Sequence, residues 1–183
     1  MKETTTKTGT LALVSEHQSI GWELGSGYDV DFEEYVIVAD DLRALAGRAG
    51  HARAGRANKL CRELMPLAAK RLDFLGKQIV FWEQKVREVE GDDALERWKQ
   101  RELDQHSVYV PTADEAKTAA RALRLYSRDF PERLLIDAIF DEDFAERLEG
   151  ILDQCADIME LSVDWVTDLI RHVCEEDDDD EAL

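Results

Sequence analysis

The sequence has little cysteine, little proline and no long apolar run. Its 183 residues include three Cys and three Pro. The cysteines, at positions 61, 155 and 174, form no CxxC pair and are odd in number, which argues against a disulfide framework and favours a reducing cytoplasmic location. No apolar stretch approaches the roughly 20 residues of a membrane span, and Leu11–Val14 is too short for the core of a signal peptide. We therefore predict a cytoplasmic protein that does not interact with membranes.

Motifs of common catalytic sites are missing as well. The chain contains no GxSxG, P-loop, GxGxxG or HExxH motif, and no ExxH of the kind that di-iron bundles need. His172 and Cys174 are two residues apart, which places them on different faces of a helix, so they make a poor metal site. Asp104 and His106 form a pair without a nucleophile. We predict a non-enzymatic protein with no cofactor and no bound metal.

The residues that are abundant favour helices around a core. Apolar residues make up 44% of the chain, and Ala, Leu, Glu, Asp and Arg are plentiful. We predict a mainly α fold, a helical bundle built around a long heptad-patterned helix. An irregular segment at 1–30, with one short strand at Thr10–Ser15, precedes a single all-α domain at 31–174. A disordered acidic tail follows at 175–183.

One segment carries an unbroken heptad pattern. Apolar residues follow each other at spacings of four and three, which is the a/d pattern of a helix seam. They are Cys61, Met65, Ala68, Leu72, Leu75, Ile79, Trp82, Val86 and Val89. The seam closes either within one chain or between two copies, and in the second case Leu72, Leu75, Ile79, Trp82 and Val86 would form a homo-oligomer. Pro66 should kink this helix or begin a new one, because it lacks an amide hydrogen.

Helix boundaries are marked by capping residues. Asp31 should cap a helix that runs from about Phe32 to Ala46. Thr112 and Glu115 form a capping box, and Asp141 should cap the C-terminal helical region. Ser162 could cap a separate last helix, so the sequence is compatible with one long helix or two from Asp141 onward.

Charge is distributed unevenly along the chain, whose formal net charge is −18. Residues 1–42 have a net charge of −7, residues 43–101 a net charge of +6, and residues 102–183 a net charge of −17. The all-α domain is thus divided into a basic helical part at 43–101 and an acidic helical part at 102–174. These halves could neutralise each other on folding, or each could face a different partner.

The basic part contains the segment RAGHARAGRANK, residues 48–59, which has no acidic residue. Its cations and the next arginine are candidates for contact with phosphate or with a partner: Arg48, Arg53, Arg56, Lys59 and Arg62. The alternative is that they pair with the acidic half of the same molecule. No aromatic residue is interleaved for base stacking, and the field of the whole molecule would repel nucleic acid. Direct nucleic-acid binding is therefore the second choice.

The acidic part contains a regular line of carboxylates. Its members recur at spacings of four, four, three, four and four residues: Glu149, Asp153, Asp157, Glu160, Asp164 and Asp168. On a helix, successive carboxylates lie about 6 Å apart, a sparser imitation of the phosphates along a DNA strand. The alternative is a face that only solubilises the protein.

These patterns lead to one favoured function and two alternatives. The favoured function is a non-catalytic acidic protein that binds and regulates a basic, nucleic-acid-handling protein through the acidic line, as inhibitors from mobile genetic elements do. That parallel is an analogy of class and not a motif match. The alternatives are a nucleic-acid-binding regulator that uses the basic residues 48–62, and an assembly protein that oligomerises through the heptad seam.

Overall fold

Five α-helices account for most of the chain that the structure describes. A computed structural model describes residues 32–49, 54–129 and 141–179, without the side chains of 54–61, 129 and 174–179. The helices are α1 (Glu33–Ala46), α2 (Ala54–Glu90), α3 (Asp92–His106), α4 (Ala113–Asp129) and α5 (Glu142–Asp179). They confirm the predicted mainly α fold. None of these helices is long and apolar enough to cross a bilayer.

Several predictions from the sequence fall on residues outside these ranges. The predicted irregular segment at 1–30, its strand and the Asp31 cap lie there. The sequence also predicts a short helix opened by Asp129 and Pro131, and residues 131–140 lie outside these ranges as well. They stay predictions.

The heptad positions of α2 form the centre of the core. Seven of them are at most 1% exposed: Met65, Ala68, Leu72, Leu75, Ile79, Trp82 and Val86. They belong to one cluster with the apolar side chains of α1, α4 and α5, which pack around α2. The buried seam ends at Val86, because Val89 at the next heptad position is 64% exposed.

The seam therefore closes within a single chain. Leu72, Leu75, Ile79, Trp82 and Val86 are already covered by other helices of the same molecule. A second copy could reach them only if the bundle opened and lost that burial. These residues therefore do not form the interface between two copies that the sequence left open as an alternative.

Helices α2 and α5 run parallel through the core. Trp165 Nε1 donates a hydrogen bond to Glu83 Oε1 at 3.2 Å, and further along both helices His172 contacts Glu90. Both pairs are 82 residues apart in sequence. The residue number thus rises by seven along both helices between the first contact and the second, so the two helices run in the same direction.

Helix α4 runs antiparallel to α5. The Cys155 thiol of α5 donates to the Ala119 carbonyl of α4 at 3.6 Å. Later in α4, Tyr126 lies 6.1 Å, between ring centroids, from Phe144 near the start of α5. The surrounding core raises the pKa of Cys155 to about 12, because burial disfavours the thiolate. This buried thiol packs in the core.

Helix α4 approaches α2 closely at a glycine. A Cβ atom added at Gly76 would lie 3.1 Å from the Ala113 carbonyl oxygen and 3.5 Å from the Ala116 Cβ. Small residues on both helices permit this distance. The alanine-rich composition of α4 thus has a packing role.

The short helix α3 is attached to the bundle by a buried carboxylate. Glu83 is only 7% exposed; its Oε1 forms an ion pair with Lys99 Nζ of α3 at 2.9 Å and accepts a hydrogen bond from Trp165. Arg87 Nη2 donates to the other oxygen at 3.3 Å. Three donors offset the cost of burying this charge. The preceding turn uses Gly91 at φ +89°, a conformation that favours glycine.

Two capping predictions are confirmed. At the start of α4, the Glu115 amide donates to Thr112 Oγ1 at 3.2 Å, and the Thr112 amide donates to Glu115 Oε2 at 2.8 Å. At the start of α5, the Phe144 amide donates to Asp141 Oδ1 at 3.0 Å. Both helices therefore begin where the sequence indicates.

Two helices pass without a break through positions where the sequence allowed an interruption. Helix α2 is continuous through Pro66, so no new helix begins there. The buried apolar face on both sides of Pro66 outweighs the lost backbone hydrogen bond. Helix α5 is likewise continuous through Ser162, which is 0% exposed and caps nothing. Apolar residues continue on the same face beyond Ser162, which favours one helix over two.

The C-terminal boundary also differs from the prediction. Helix α5 ends at Asp179, whereas the acidic run predicts disorder from Glu175 onward. Extension of an existing helix adds one backbone hydrogen bond per residue and needs no new nucleus, which offsets part of the repulsion between carboxylates. Residues 180–183 lie outside the described part.

Candidate acidic interaction surface

The continuous helix α5 carries all six predicted carboxylates on one face. From Glu149 to Asp168 they extend over about 28 Å, by the rise of 1.5 Å per residue. Four are exposed, and Asp153 and Glu160 are half-buried. The apolar residues that face the core lie on the opposite side of the helix. We call the six carboxylates the acidic face.

An arginine of α1 binds two members of the acidic face. Arg43 donates from Nη1 and Nη2 to the two carboxylate oxygens of Glu160, both at 2.6 Å. Its Nη2 also donates to Asp157 Oδ1 at 2.8 Å. The hydrogen bonds that Arg43 donates to Glu160 and then to Asp157 raise the pKa of Arg43. The centre of the acidic face is thus part of the α1–α5 contact.

The remaining members form two groups on either side of this arginine. Glu149 and Asp153 lie toward the start of α5, and no ion pair involves either of them among the residues that the structure describes. Toward the end of the helix, Asp168 pairs with Arg171 of the same helix at 3.0 Å. Asp164 lies between Glu160 and Asp168, one turn from each.

Negative charge is concentrated at Asp164. Its pKa is raised, first by partial burial and then by the charges of Asp168 and Glu160. A raised pKa means that the folded protein holds this carboxylate in an unfavourable environment when it is ionised. A cation placed against this part of α5 would relieve that cost.

Helix α1 extends the acidic face beyond α5. Asp40 lies 3.6 Å from Arg43, and its side chain is 71% exposed. Asp41 is exposed beside it. Arg43 is therefore surrounded by carboxylates from two helices, and the surface retains a negative balance around it.

Sequence reasoning missed Arg43 and Asp40. One feature could have indicated the arginine, since Arg43 is the only Lys or Arg between Lys7 and Arg48. A lone cation in an acidic segment is a candidate for an internal ion pair. The sequence could not show which carboxylates it meets, because Asp157 and Glu160 are more than 110 residues away.

Two of the five predicted basic contact residues lie among the described side chains. Arg48 follows α1 and Arg62 lies early in α2, and both are exposed. Neither forms an ion pair with a residue in the described ranges. The side chains of Arg53, Arg56 and Lys59 lie outside the described part. The structure does not bring Arg48 or Arg62 into contact with the acidic face.

The other candidate groups have different surroundings. His172 contacts Glu90 and lies 4.6 Å, between ring centroids, from Trp98. Asp104 accepts a hydrogen bond from Gln100 at 2.8 Å. Within the described residues, no group of three or more His, Cys, Asp or Glu side chains has an arrangement that could hold a metal ion.

Comparisons with protein-family models, curated proteins and solved structures find no match for this chain.

Proposed function

We propose that this protein is a non-catalytic interaction protein that binds and regulates a basic, nucleic-acid-handling protein through the acidic face. One observation carries the proposal: a single straight run of α5 presents Glu149, Asp153, Asp164 and Asp168 without a cation from another described helix to neutralise them. The internal pairing of Asp157 and Glu160 with Arg43 reduces the free charge of the face but leaves both of its ends available.

Electrostatics favours a cationic partner over other classes. The net charge of −18 attracts basic proteins over long range and repels nucleic acid. The raised pKa of Asp164 marks a place where a partner's Lys or Arg would be stabilising. Complementary charge of this kind mainly raises the association rate and sets specificity.

The spacing of the acidic face suits a groove that normally holds a nucleic-acid backbone. Carboxylates recur about every 6 Å on the helix, against one phosphate per 3.4 Å along a DNA strand. A groove lined by Lys and Arg for phosphates could therefore accept α5 in place of a strand. In this arrangement the protein would compete with nucleic acid and so act as an inhibitor.

The test compares three forms of the protein as bait for partners. The first is the wild type, and the second is Glu149→Gln/Asp153→Asn/Asp164→Asn, which neutralises the unpaired members of the acidic face. The third is Glu63→Gln/Asp93→Asn/Asp104→Asn, which removes the same charge from exposed positions on α2 and α3. Proteins captured from the source cell are identified by mass spectrometry, and circular dichroism checks that helix content is equal.

We expect the wild type and the control to capture a basic protein that the acidic-face variant loses. With that protein purified, the acidic-face variant should bind at least tenfold more weakly, mainly through slower association, and duplex DNA should compete with the wild type. Equal capture by all three forms would overturn the proposal. Capture that nucleic acid cannot displace would overturn the charge-mimicry part.

Direct nucleic-acid binding is the second candidate. The observation in its favour is that Arg48 and Arg62 are exposed and unpaired among the described residues, so internal pairing does not occupy them. If this candidate is right, the wild type retains a DNA or RNA duplex at about 50 mM salt, and Arg48→Gln/Arg62→Gln lowers the salt slope by about two. Absence of duplex binding at that salt concentration excludes it.

A further inference from the structure

A cleft of about 380 Å³ lies between α3 and the C-terminal part of α5, where its lining residue His172 follows Asp168 of the acidic face by one helical turn. Its size is at the lower end of the range for small-molecule sites, roughly 300–1,000 Å³. The lining residues come from the end of α2, from α3 and from α5. They are Glu90, Ala94, Arg97, Trp98, Arg101 and His172.

One wall of the cleft contains aromatic rings in tilted contact with each other. The Trp98 ring lies 4.8 Å, between centroids, from Trp165 and 4.6 Å from His172. Trp98 Nε1 donates to Glu102 Oε1 at 3.2 Å, and His172 contacts Glu90. The contacts of the Trp98 ring with Trp165 and His172 position α3 against α5.

Two arginines of α3 border this wall. Arg97 and Arg101 are one turn apart on the face that contains Trp98, and both are exposed. Neither forms an ion pair with a described residue, although Asp93 and Asp104 each lie one turn away on the same helix. In contrast, Lys99 between them pairs with Glu83. The cleft thus contains two guanidinium groups that the rest of the described structure does not neutralise.

Paired guanidinium groups on a rigid helix are suited to a phosphate group. The planar fork of arginine forms two parallel hydrogen bonds to phosphate oxygens, and side chains one helical turn apart lie roughly 6 Å from each other. Glu90 also lines the cleft; its Oε1 contacts His172, and a carboxylate has further lone pairs that accept hydrogen bonds from hydroxyl groups. Ala94 contributes a small side chain to the lining.

We propose that this cleft binds a small phosphate monoester with free hydroxyl groups, of the class of nucleoside monophosphates and sugar phosphates. The phosphate lies between Arg97 and Arg101, and a hydroxyl group donates to Glu90. The net charge of −18 disfavours a nucleic-acid polymer at the same place, because a long polyanion would be repelled by the rest of the surface. A small monoester carries its negative charge on one phosphate group next to the two arginines, so the rest of the surface repels it less than it repels a polymer.

The test uses calorimetric titration of the full chain with adenosine 5′-monophosphate, ribose 5-phosphate, inorganic phosphate and adenosine. The site variant is Arg97→Gln/Arg101→Gln. The matched control is Arg121→Gln/Arg147→Gln, which removes the same charge from exposed arginines of α4 and α5 that have no ion pair among described residues. Tryptophan fluorescence provides a second readout, since Trp98 lies in the cleft wall.

We expect at least one of the two phosphate monoesters to bind to the wild type and to the control with equal affinity, and at least tenfold more weakly to the site variant. Inorganic phosphate should bind more weakly than that ester, and adenosine more weakly still. Three outcomes would overturn the proposal: no binding of either ester at about 1 mM, equal loss in both variants, or adenosine binding as tightly as its monophosphate. None of them depends on the acidic face, so this site is tested separately from the proposed function.

Discussion

Two carboxylates of this molecule show how surroundings decide what an acidic residue does. Glu83 is almost fully buried, yet donors from Arg87, Lys99 and Trp165 surround it, so it joins three helices. Asp164 is more exposed but has other carboxylates as its nearest charged neighbours. Glu83 therefore stabilises the fold. The charge of Asp164 destabilises it, and a cationic ligand or partner would offset that effect.

The raised pKa of Asp164 predicts a stability effect that depends on pH. The folded protein binds the proton of this carboxyl more tightly than the unfolded chain does. The carboxyl therefore contributes stability only at low pH, and this is lost as the pH rises from the unfolded pKa through the folded pKa. We expect Asp164→Asn to be more stable than the wild type at pH 7, because the amide removes the charge without removing the side chain.

Urea denaturation of the wild type and Asp164→Asn between about pH 7 and pH 3 measures this effect. The difference in free energy of unfolding between the wild type and Asp164→Asn should become smaller as the pH falls and the wild-type carboxyl becomes protonated. Glu63→Gln, an exposed change of the same charge on α2, is the control and should show a smaller difference at pH 7. A constant difference across the pH range would mean that Asp164 acts through packing and not through its charge.

At the scale of elements, local patterns in the sequence predict most of the helices. The heptad spacing of α2, the Thr112 box and the Asp141 cap each depend on residues at most a few turns apart. Such patterns determine where a helix begins and which face it buries. They leave Pro66 and Ser162 open as points of interruption. Both helices are continuous there, because the burial of a long apolar face outweighs a local preference for interruption.

The core position of α2 leads to a direct test of the seam. Ile79 is 1% exposed, whereas the next residue, Val80, is 51% exposed. Ile79→Ala should lower the free energy of unfolding by about 2–5 kcal/mol, through lost burial and the cavity left behind. Val80→Ala should change it by roughly 0.5 kcal/mol or less. Chemical denaturation measures both, and an equally small effect for both would contradict a buried seam.

Contacts between distant elements could not be predicted from the sequence. Arg43 meets Asp157 and Glu160 only because α1 packs against α5, and nothing in the local spacing of these residues encodes that packing. The cleft beside Trp98 likewise requires α3 to lie against α5. The acidic face could be predicted as a line on one helix, but its division into paired and unpaired members could not.

At the scale of the whole molecule, the acidic and basic halves neutralise each other only in part. Arg43 links the basic half to the acidic face, whereas Arg124 with Asp73 joins a cation of the acidic half to a carboxylate of the basic half. Arg48, Arg62, Arg97 and Arg101 remain outside such pairs among the described residues. The fold therefore separates a negative face from positive sites and does not average the charge over the surface.

This separation predicts how stability responds to salt. Repulsion among exposed carboxylates acts over several ångströms and is screened as the Debye length falls from about 30 Å at 0.01 M salt to about 10 Å at 0.1 M. Short buried pairs such as Glu83 with Lys99 are screened much less. We therefore expect the free energy of unfolding of the wild type to rise as sodium chloride increases over this range.

The variant Glu149→Gln/Asp153→Asn/Asp164→Asn should gain less from salt, because part of the repulsion is already absent. The control Glu63→Gln/Asp93→Asn/Asp104→Asn has the same net charge, so it separates an effect of the acidic face from an effect of total charge. Urea denaturation of the three forms across the salt series gives the comparison. If both variants respond alike, the repulsion is spread over the molecule. If the wild type loses stability with added salt, the ion pairs around Arg43 contribute more than the repulsion that surrounds them.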